Sequence, residues 1–365
     1  MPTSQPISDP NATEVIGLVS DQETDPAVEP SAPAKPRRRK RRIILIAVLV
    51  PVLLLAFGAG GLALYLHNVS SSVQRVDAFA SVPEASRPQK DAAAGNATNF
   101  LLLGSDSRDP ENTDGSRSDT IIVLHLNKGQ SAAELISIPR DTWVFIPKSA
   151  DGKHGGVDSK INAAFAWGGV PLMVQTVEGY TGVRIDHVAM VDFSGFKEIV
   201  DALGGVTVNV ETSFTSNHSL NANHIRHFDK GVQVMDGAAA LDYARERYSF
   251  KDGDFARIRH QQQVIKAILD KASSGGMLSS PTKINDFLKA TADTVSVDNT
   301  LNIFDMAMQL RHLRSGNLQF FTSPTKGTGR IGDQSVVLPD TTKAKELFTA
   351  VRKDDTAGIT KLATD

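Results

Sequence analysis

Hydrophobic and polar positions divide the 365-residue chain into unlike stretches. Residues 43–66 read IILIAVLVPVLLLAFGAGGLALYL, 24 positions without a charge. At about 1.5 Å per residue such a run crosses a hydrocarbon core of roughly 30 Å with some tilt, so a transmembrane helix is expected. Pro51 and the nearby glycines are tolerated in such spans. A cleaved signal peptide is the competing reading. It fits poorly, because the run starts 42 residues into the chain and exceeds the usual apolar region of about 7–15 residues. Residues 67–95 show no sustained period and read as a linker.

From residue 96 to about 355 the pattern is that of a folded domain. Short apolar runs predict strands at 99–104, 119–126, 132–138, 185–192, 206–210 and 318–323. Helical periodicity predicts helices over 161–182, 193–205, 236–247 and 254–272, with weaker ones at 283–292, 301–313 and 342–352. In the helix from Asp254, residues Ala256, Val264, Ile265, Ile268 and Leu269 form the apolar side. Strands mixed with helices throughout predict an α/β fold: a layered α/β/α domain with a central mixed, largely antiparallel sheet, preceded by one transmembrane helix. No repeat or composition break divides residues 96–355, so a single extracytoplasmic domain is expected, with residues 356–365 as a tail.

Charge refines the topology. Residues 1–34 carry six acids and no Lys or Arg, and residues 35–42 then carry seven bases. Seven of the 17 prolines fall in the first 36 residues. Residues 1–42 therefore read as a disordered cytoplasmic tail, with the basic block on the inner side of the span by the positive-inside rule. The protein is expected in the cell membrane, single-pass, with its domain outside. A net charge of −2 gives no argument for nucleic acid. The absence of Cys excludes disulfides, Cys-ligated metals and a thiol nucleophile.

Candidate chemistry collects at strand ends. If strands 99–104 and 119–126 pair antiparallel, Asp106 and Asp119 sit at one edge of the sheet, and strand 132–138 returns Arg140 and Asp141 to it. Arg108 and Arg117 lie in the intervening loop. Paired carboxylates suit a hard divalent cation, and guanidinium forks suit phosphate; a set of surface salt bridges and turn caps is the plainer reading. Arg245 and Arg247 are two apart, so they face one way only where a helix has ended. Arg257 and Gln261 share a helix face. Solvated helix ends remain the alternative for these four. Lys160 and Asn162 open the long apolar helix, where a cation adds to an anion-binding N-terminus. His218, His224 and His227 match no strong zinc spacing. Trp143 and Trp167 are expected to pack, with sugar stacking as the alternative.

Seven segments, in order, resemble the LytR–CpsA–Psr family of cell-wall glycopolymer ligases: NFLLLGSDSR, RSDT, SIPRDTWV, KINAAFAWGG, residues 185–210, MDGAAALDYARER and GDFARIRHQQQVIKAI. SVVLPD at 335–340 also looks like the closing part of such domains. The resemblance implies Mg²⁺-dependent transfer of a glycopolymer from a polyprenyl-pyrophosphate carrier to peptidoglycan, with Mn²⁺ as a possible substitute. It implies that Asp106 and Asp119 serve the metal. Arg117, Arg140, Arg245, Arg247 and Arg257 would serve the pyrophosphate, with Gln261 beside them and Lys160 in the same pocket. A polyprenyl chain needs an apolar tunnel, which the helices at 161–177 and 256–269 are expected to line. Many relatives carry Arg where this chain has His260, which is expected on the helix surface, with a weaker phosphate contact as the alternative. A pyrophosphate hydrolase and a non-catalytic lipid-pyrophosphate-binding regulator are the competing functions. The resemblance leaves the glycopolymer open: teichoic acid, capsule or arabinogalactan.

Overall fold

The computed structural model describes residues 73–105, 118–216, 225–274, 295–302, 313 and 315–364. The expected spanning helix, Asp106, Arg108, Arg117, His218, His224 and the helices expected at 283–292 and over most of 301–313 lie outside these residues. Among the described residues, no helix is long and apolar enough to cross a membrane.

The chain runs through β1 (Gln74–Val76), β2 (Thr98–Ser105), β3 (Ser118–Leu126), β4 (Ala133–Ser137) and the hairpin β5 (Trp143–Ile146) and β6 (Val157–Lys160). Then follow α1 (Ala163–Thr181), β7 (His187–Asp192), α2 (Phe193–Ala202), β8 (Val206–Val210), β9 (Phe214–Ser216), β10 (Arg226–Phe228) and β11 (Gly231–Met235). Next come α3 (Gly237–Arg245), α4 (Asp254–Ser274) and β12 (Val295–Asp298). The described part closes with β13 (Leu318–Thr322), β14 (Thr325–Ile331), β15 (Gln334–Pro339), α5 (Thr341–Arg352) and α6 (Thr356–Thr364).

Among the described residues, seven strands form the central sheet in the order β1-β12-β7-β2-β3-β4-β13. The sheet is mixed. Pairs β12–β7, β2–β3 and β3–β4 are antiparallel, and the long β2–β3 ladder gives antiparallel pairing the larger share. Pairs β1–β12, β2–β7 and β13–β4 are parallel. Alternation along the strands sets the layers. Leu101, Leu103, Ile121, Val123 and Ile136 point to one face, where they bury against Phe165 and Met173 of α1 and Leu347 and Phe348 of α5. Phe100, Leu102, Ile122, Leu124 and Leu135 point to the other, with Ile265 and Leu269 of α4. A sheet so covered on both sides is the expected α/β/α arrangement. Beside it, α2, α3 and α4 share a smaller core with β8, around Val200, Val208, Tyr243 and Val264.

Local chemistry accounts for most boundaries. Asp192 and Asp236 cap α2 and α3, accepting from the Gly195 N–H at 2.6 Å and the Ala239 N–H at 2.7 Å. The apolar period predicts one helix over 161–182, but the backbone breaks at Gly168 and Gly169 before Pro171 restarts it. Gly169 has φ 61 and ψ −154, a region open only to glycine. VTVNV forms a strand as expected, yet it pairs with β11 in a separate two-stranded sheet rather than in the main sheet. Two short elements lie outside the expected domain boundaries. β1 falls in the expected linker and is one edge strand of the sheet; that segment is fastened by Arg87, whose Nη2 is 2.7 Å from Glu178 Oε1 on α1. The expected tail holds α6, whose Ile359 is fully buried.

One buried acid marks the sheet end remote from the β2–β3 loop. Glu134 on β4 pairs in register with His125, and its Oε2 has no hydrogen-bond partner among the described residues. Burial, with Asp354 adding to it, pushes its carboxyl up to about 7 from the usual 4.5. The folded protein thus keeps a proton that the unfolded chain releases, so stability falls as pH rises from 4.5 through 7. Glu134→Gln is expected to exceed the wild type in urea-unfolding stability by roughly 1–3 kcal/mol at about pH 8 and to match it near pH 4.

Candidate active site

Three strand ends build the site. In the β2–β3 ladder Gly104 faces Thr120, and a Cβ at Gly104 would stand 2.8 Å from the Thr120 Cβ, so only glycine lets the strands close here. Asp119 follows at the start of β3. β4 returns alongside, and the Ile138 N–H donates to the Ile121 carbonyl at 2.8 Å. The next turn delivers Arg140, whose guanidinium bonds the Asp119 carboxylate. The convergence expected from antiparallel pairing is therefore present for Asp119, Arg140 and Asp141.

The rest comes from α3 and α4. α3 ends at Arg245, and Glu246 is extended at φ −67 and ψ 132, so the helix stops where the two-residue spacing demanded. Arg245 and Arg247 both line one cavity with Asp119, Arg140, Arg257 and Gln261. The Arg245 guanidinium lies 4.5 Å from the Phe193 ring centroid, a cation–π contact that holds it at the wall. Asp254 and Arg257, one turn apart at the start of α4, form a buried ion pair. Beyond this charged group the lining is largely apolar: Leu102 and Ile122 from the sheet, Phe196 and Ile199 from α2, Leu241 from α3, and Ile265, Ile268 and Leu269 from α4. The cavity measures about 420 Å³.

The charges perturb one another. Burial opposes the Arg140 charge, yet Asp119, Asp141 and Asp254 outweigh it and raise its pKa. Arg257 is more deeply buried; burial, with help from Arg140 and Arg247, lowers its pKa despite Asp254. Burial raises the Asp254 carboxyl, with Asp141 adding to it and Arg257 and Arg140 opposing. The Asp254 oxygens approach Arg257 without hydrogen-bond geometry, so the pair is held by charge alone. A pocket that crowds four guanidinium groups against few carboxylates is prepared for a multiply charged anion.

Other expectations fall differently. Asp141 and Lys160 pair with each other at 3.3 Å, beside the cavity but not in its wall. Asn162 also stays out of the wall; its N–H donates to the Arg140 carbonyl at 3.1 Å, so this end of α1 supports the arginine's turn instead of offering an anion a free donor. The helix at 161–177 does not line the tunnel, because α1 covers the opposite face of the sheet; α2 and α3 take its place. His260 is not a surface residue. It is 7% exposed, stacks on Phe214 at 5.3 Å and lies 4.4 Å from the Tyr243 ring. Burial, then Arg259, lowers its pKa to about 4, so it is a neutral core group. His227 is exposed and pairs with Thr215 and Asp229. Asp254 was missed as a site residue; its signal was the three-residue spacing to Arg257. Phe193, Phe196 and Leu241 carried no signal, since core and cavity residues look alike in sequence.

Among the described residues there is no group of three or more His, Cys, Asp or Glu that can hold a metal ion. The donor set still fits Mg²⁺, which typically takes one or two carboxylates and fills its remaining positions with phosphate and water. Asp119 supplies such a carboxylate in the cavity wall beside the guanidinium cluster.

Comparisons with known proteins place the chain in a family. A model of the LytR_cpsA_psr family matches residues 64–353. The chain is 33% identical over 297 residues to the polyisoprenyl-teichoic acid–peptidoglycan teichoic acid transferase TagU of Bacillus subtilis, covering 80% of this chain and 89% of that one. The crystal structure of B. subtilis TagV superposes with TM-score 0.59 at 29% identity, covering 73% of this chain and 98% of that one. A structure of TagT bound to LIIa-WTA superposes with TM-score 0.60 at 26% identity, covering 77% and 99%.

The Asp254–Arg257 pair yields a test. Asp254→Ala leaves a buried guanidinium unpaired and is expected to lower urea-unfolding stability by roughly 3–5 kcal/mol. A loss below about 1 kcal/mol, the value of an exposed pair, would contradict its burial.

Proposed function

The chain belongs to the LytR–CpsA–Psr family, and on that premise we propose that it transfers a glycopolymer from a polyprenyl-pyrophosphate carrier to peptidoglycan. The supporting observation is one cavity with two chemistries. Its apolar length, between the sheet and α2, α3 and α4, suits a polyprenyl chain, and its charged group of Arg140, Arg245, Arg247 and Arg257 suits a pyrophosphate. An amphiphile with that one junction satisfies both at once. The product is a phosphodiester, and polyprenyl phosphate leaves. Membrane anchoring by the expected span at residues 43–66 would place the domain outside, where the lipid-linked donor and the wall meet.

Phosphoryl transfer of this kind needs positioning and charge neutralisation more than a protein nucleophile. Arg140 and Arg257, held by Asp119 and Asp254, bring fixed positive charge to the phosphates, and pre-set donors cost no reorganisation during reaction. Arg245, braced on Phe193, and Arg247, whose Nη2 donates to the Tyr248 hydroxyl at 2.5 Å, complete the set. Gln261 adds a neutral donor to the same wall. Asp119, with Asp106 and Arg117 from the preceding loop, would complete the family's metal and pyrophosphate set. Bound Mg²⁺ would supply further charge neutralisation on the pyrophosphate oxygens. Lys160, through Asp141, steadies the Arg140 turn, and Arg108, between β2 and β3 in sequence, would contribute to substrate binding.

Arg140→Ala and Arg245→Ala are each expected to lower transfer from lipid-linked donor to peptidoglycan by about 100-fold or more. Retained transfer in both variants would refute the site. Chelating divalent cations should abolish transfer and Mg²⁺ should restore it. Analysing the glycopolymer product with and without acceptor separates transfer from hydrolysis: both release polyprenyl phosphate, but a transferase forms the acceptor-linked phosphodiester, whereas a hydrolase forms free glycopolymer phosphate.

A further inference from the structure

A second surface adjoins the charged end of the cavity. On β5, Val144 and Ile146 are buried in the core beneath α1, so Trp143 and Phe145 point outward. The β5–β6 register sets Trp143 opposite Lys160 and Phe145 opposite Asp158. Directly opposed residues share a face, so two aromatic rings and two opposite charges form one outward surface. Phe145 is 59% exposed, on a strand whose other face is core.

This surface is held rigidly. The loop that joins the two strands turns back on itself: a Cβ at Gly155, at φ 78, would fall 1.9 Å from the Pro147 carbonyl oxygen. The Gly156 N–H donates to the Ile146 carbonyl at 2.8 Å, and the Ser149 N–H to the His154 carbonyl at 2.9 Å. His154 stacks on Trp167 of α1 at 5.9 Å and 16°. The surface also connects to the cavity through Lys160, 3.3 Å from Asp141, which lies 3.8 Å from Arg140 in the cavity wall.

We propose that Trp143, Phe145, Asp158 and Lys160 bind the glycan strand of the acceptor and present its hydroxyl at the Arg140 end of the cavity. The inference rests on the transfer reading above. A sugar ring has an apolar C–H face and a polar rim. Aromatic faces, with their negative quadrupole, accept the first, while Lys and Asp side chains hydrogen-bond the second. Successive outward residues on a strand stand roughly 6–7 Å apart, on the order of one sugar ring. Charge selects the acceptor over a phosphate-bearing donor polymer. One Lys and one Asp leave this surface near neutral, whereas the cavity end concentrates guanidinium groups.

The chain has two tryptophans, so Trp167→Phe leaves Trp143 as the sole tryptophan, excited selectively above the tyrosine absorption. Full-length Trp167→Phe protein, titrated with soluble peptidoglycan glycan strands, should show a saturable change in fluorescence, and adding Phe145→Ser should weaken it several-fold. A flat titration overturns the surface. In the transfer assay, Trp143→Ala/Phe145→Ala should raise the acceptor KM about tenfold while leaving the donor KM unchanged. Phe145→Ser alone, at an exposed position, should raise it less, and Trp143→Phe should retain most of the affinity. An acceptor KM within twofold of wild type in the double variant overturns the acceptor role. If the wild type transfers nothing to peptidoglycan, the transfer reading fails and the acceptor role with it, whereas a flat titration alongside normal transfer sinks only the surface.

Discussion

Four guanidinium groups around one cavity repel each other, and three carboxylates hold two of them, Arg140 and Arg257, in place, while Arg245 rests on Phe193 and Arg247 bonds Tyr248. Asp119 bonds Arg140, Asp254 is buried against Arg257, and Asp141 bridges Arg140 and Lys160. Each carboxylate sits at an element boundary: the start of β3, the first residue of α4, the turn after β4. The positive charge that would bind an anion and the strand and helix ends that define the fold are thus the same features. The perturbed groups report this balance. Neighbouring acids support Arg140, while burial and neighbouring cations depress Arg257.

α4 joins the two chemistries. Its first turn carries Asp254 and Arg257, and its body supplies Ile265, Ile268 and Leu269 to the apolar length of the cavity. Between them a row of glutamines divides the work. Gln261 enters the cavity wall. Gln262 donates to Ser137 Oγ at 3.0 Å and to the Phe321 carbonyl at 2.9 Å, tying the helix to β4 and β13. Gln263 accepts from the Tyr243 hydroxyl at 2.5 Å, tying it to α3. The helix is thereby fixed against the sheet end where Arg140 emerges. His260 fits the same logic as a neutral ring in the aromatic cluster of Phe214, Tyr243 and Phe250, where a charge would be costly.

Much of this was legible along the chain. β2, β3, β4 and β7 followed from short apolar runs, because strands covered on both faces are apolar nearly throughout, and α4 followed from its helical period. Arg245 and Arg247 could be placed together because two residues of spacing permit convergence only past a helix end. β5, β6, β14 and β15 were not read, since these hairpin strands bury too few residues to leave a period. The break at Gly168 and Gly169 was hidden inside an apolar run that reads as helix.

The sequence by itself determined the class of fold, the charged inventory and the family, since these depend on residue types and near-neighbour spacing. Only the tertiary structure decided which sheet face forms the cavity, and that α2 and α3 line it while α1 does not. It also decided that His260 is core, that Asp254 belongs to the charged site, and that Trp143 and Phe145 share an outward face. The reason is physical. A periodic pattern shows that a face is buried but not what it is buried against, and an ion pair between distant elements depends on a register that no local stretch of chain encodes.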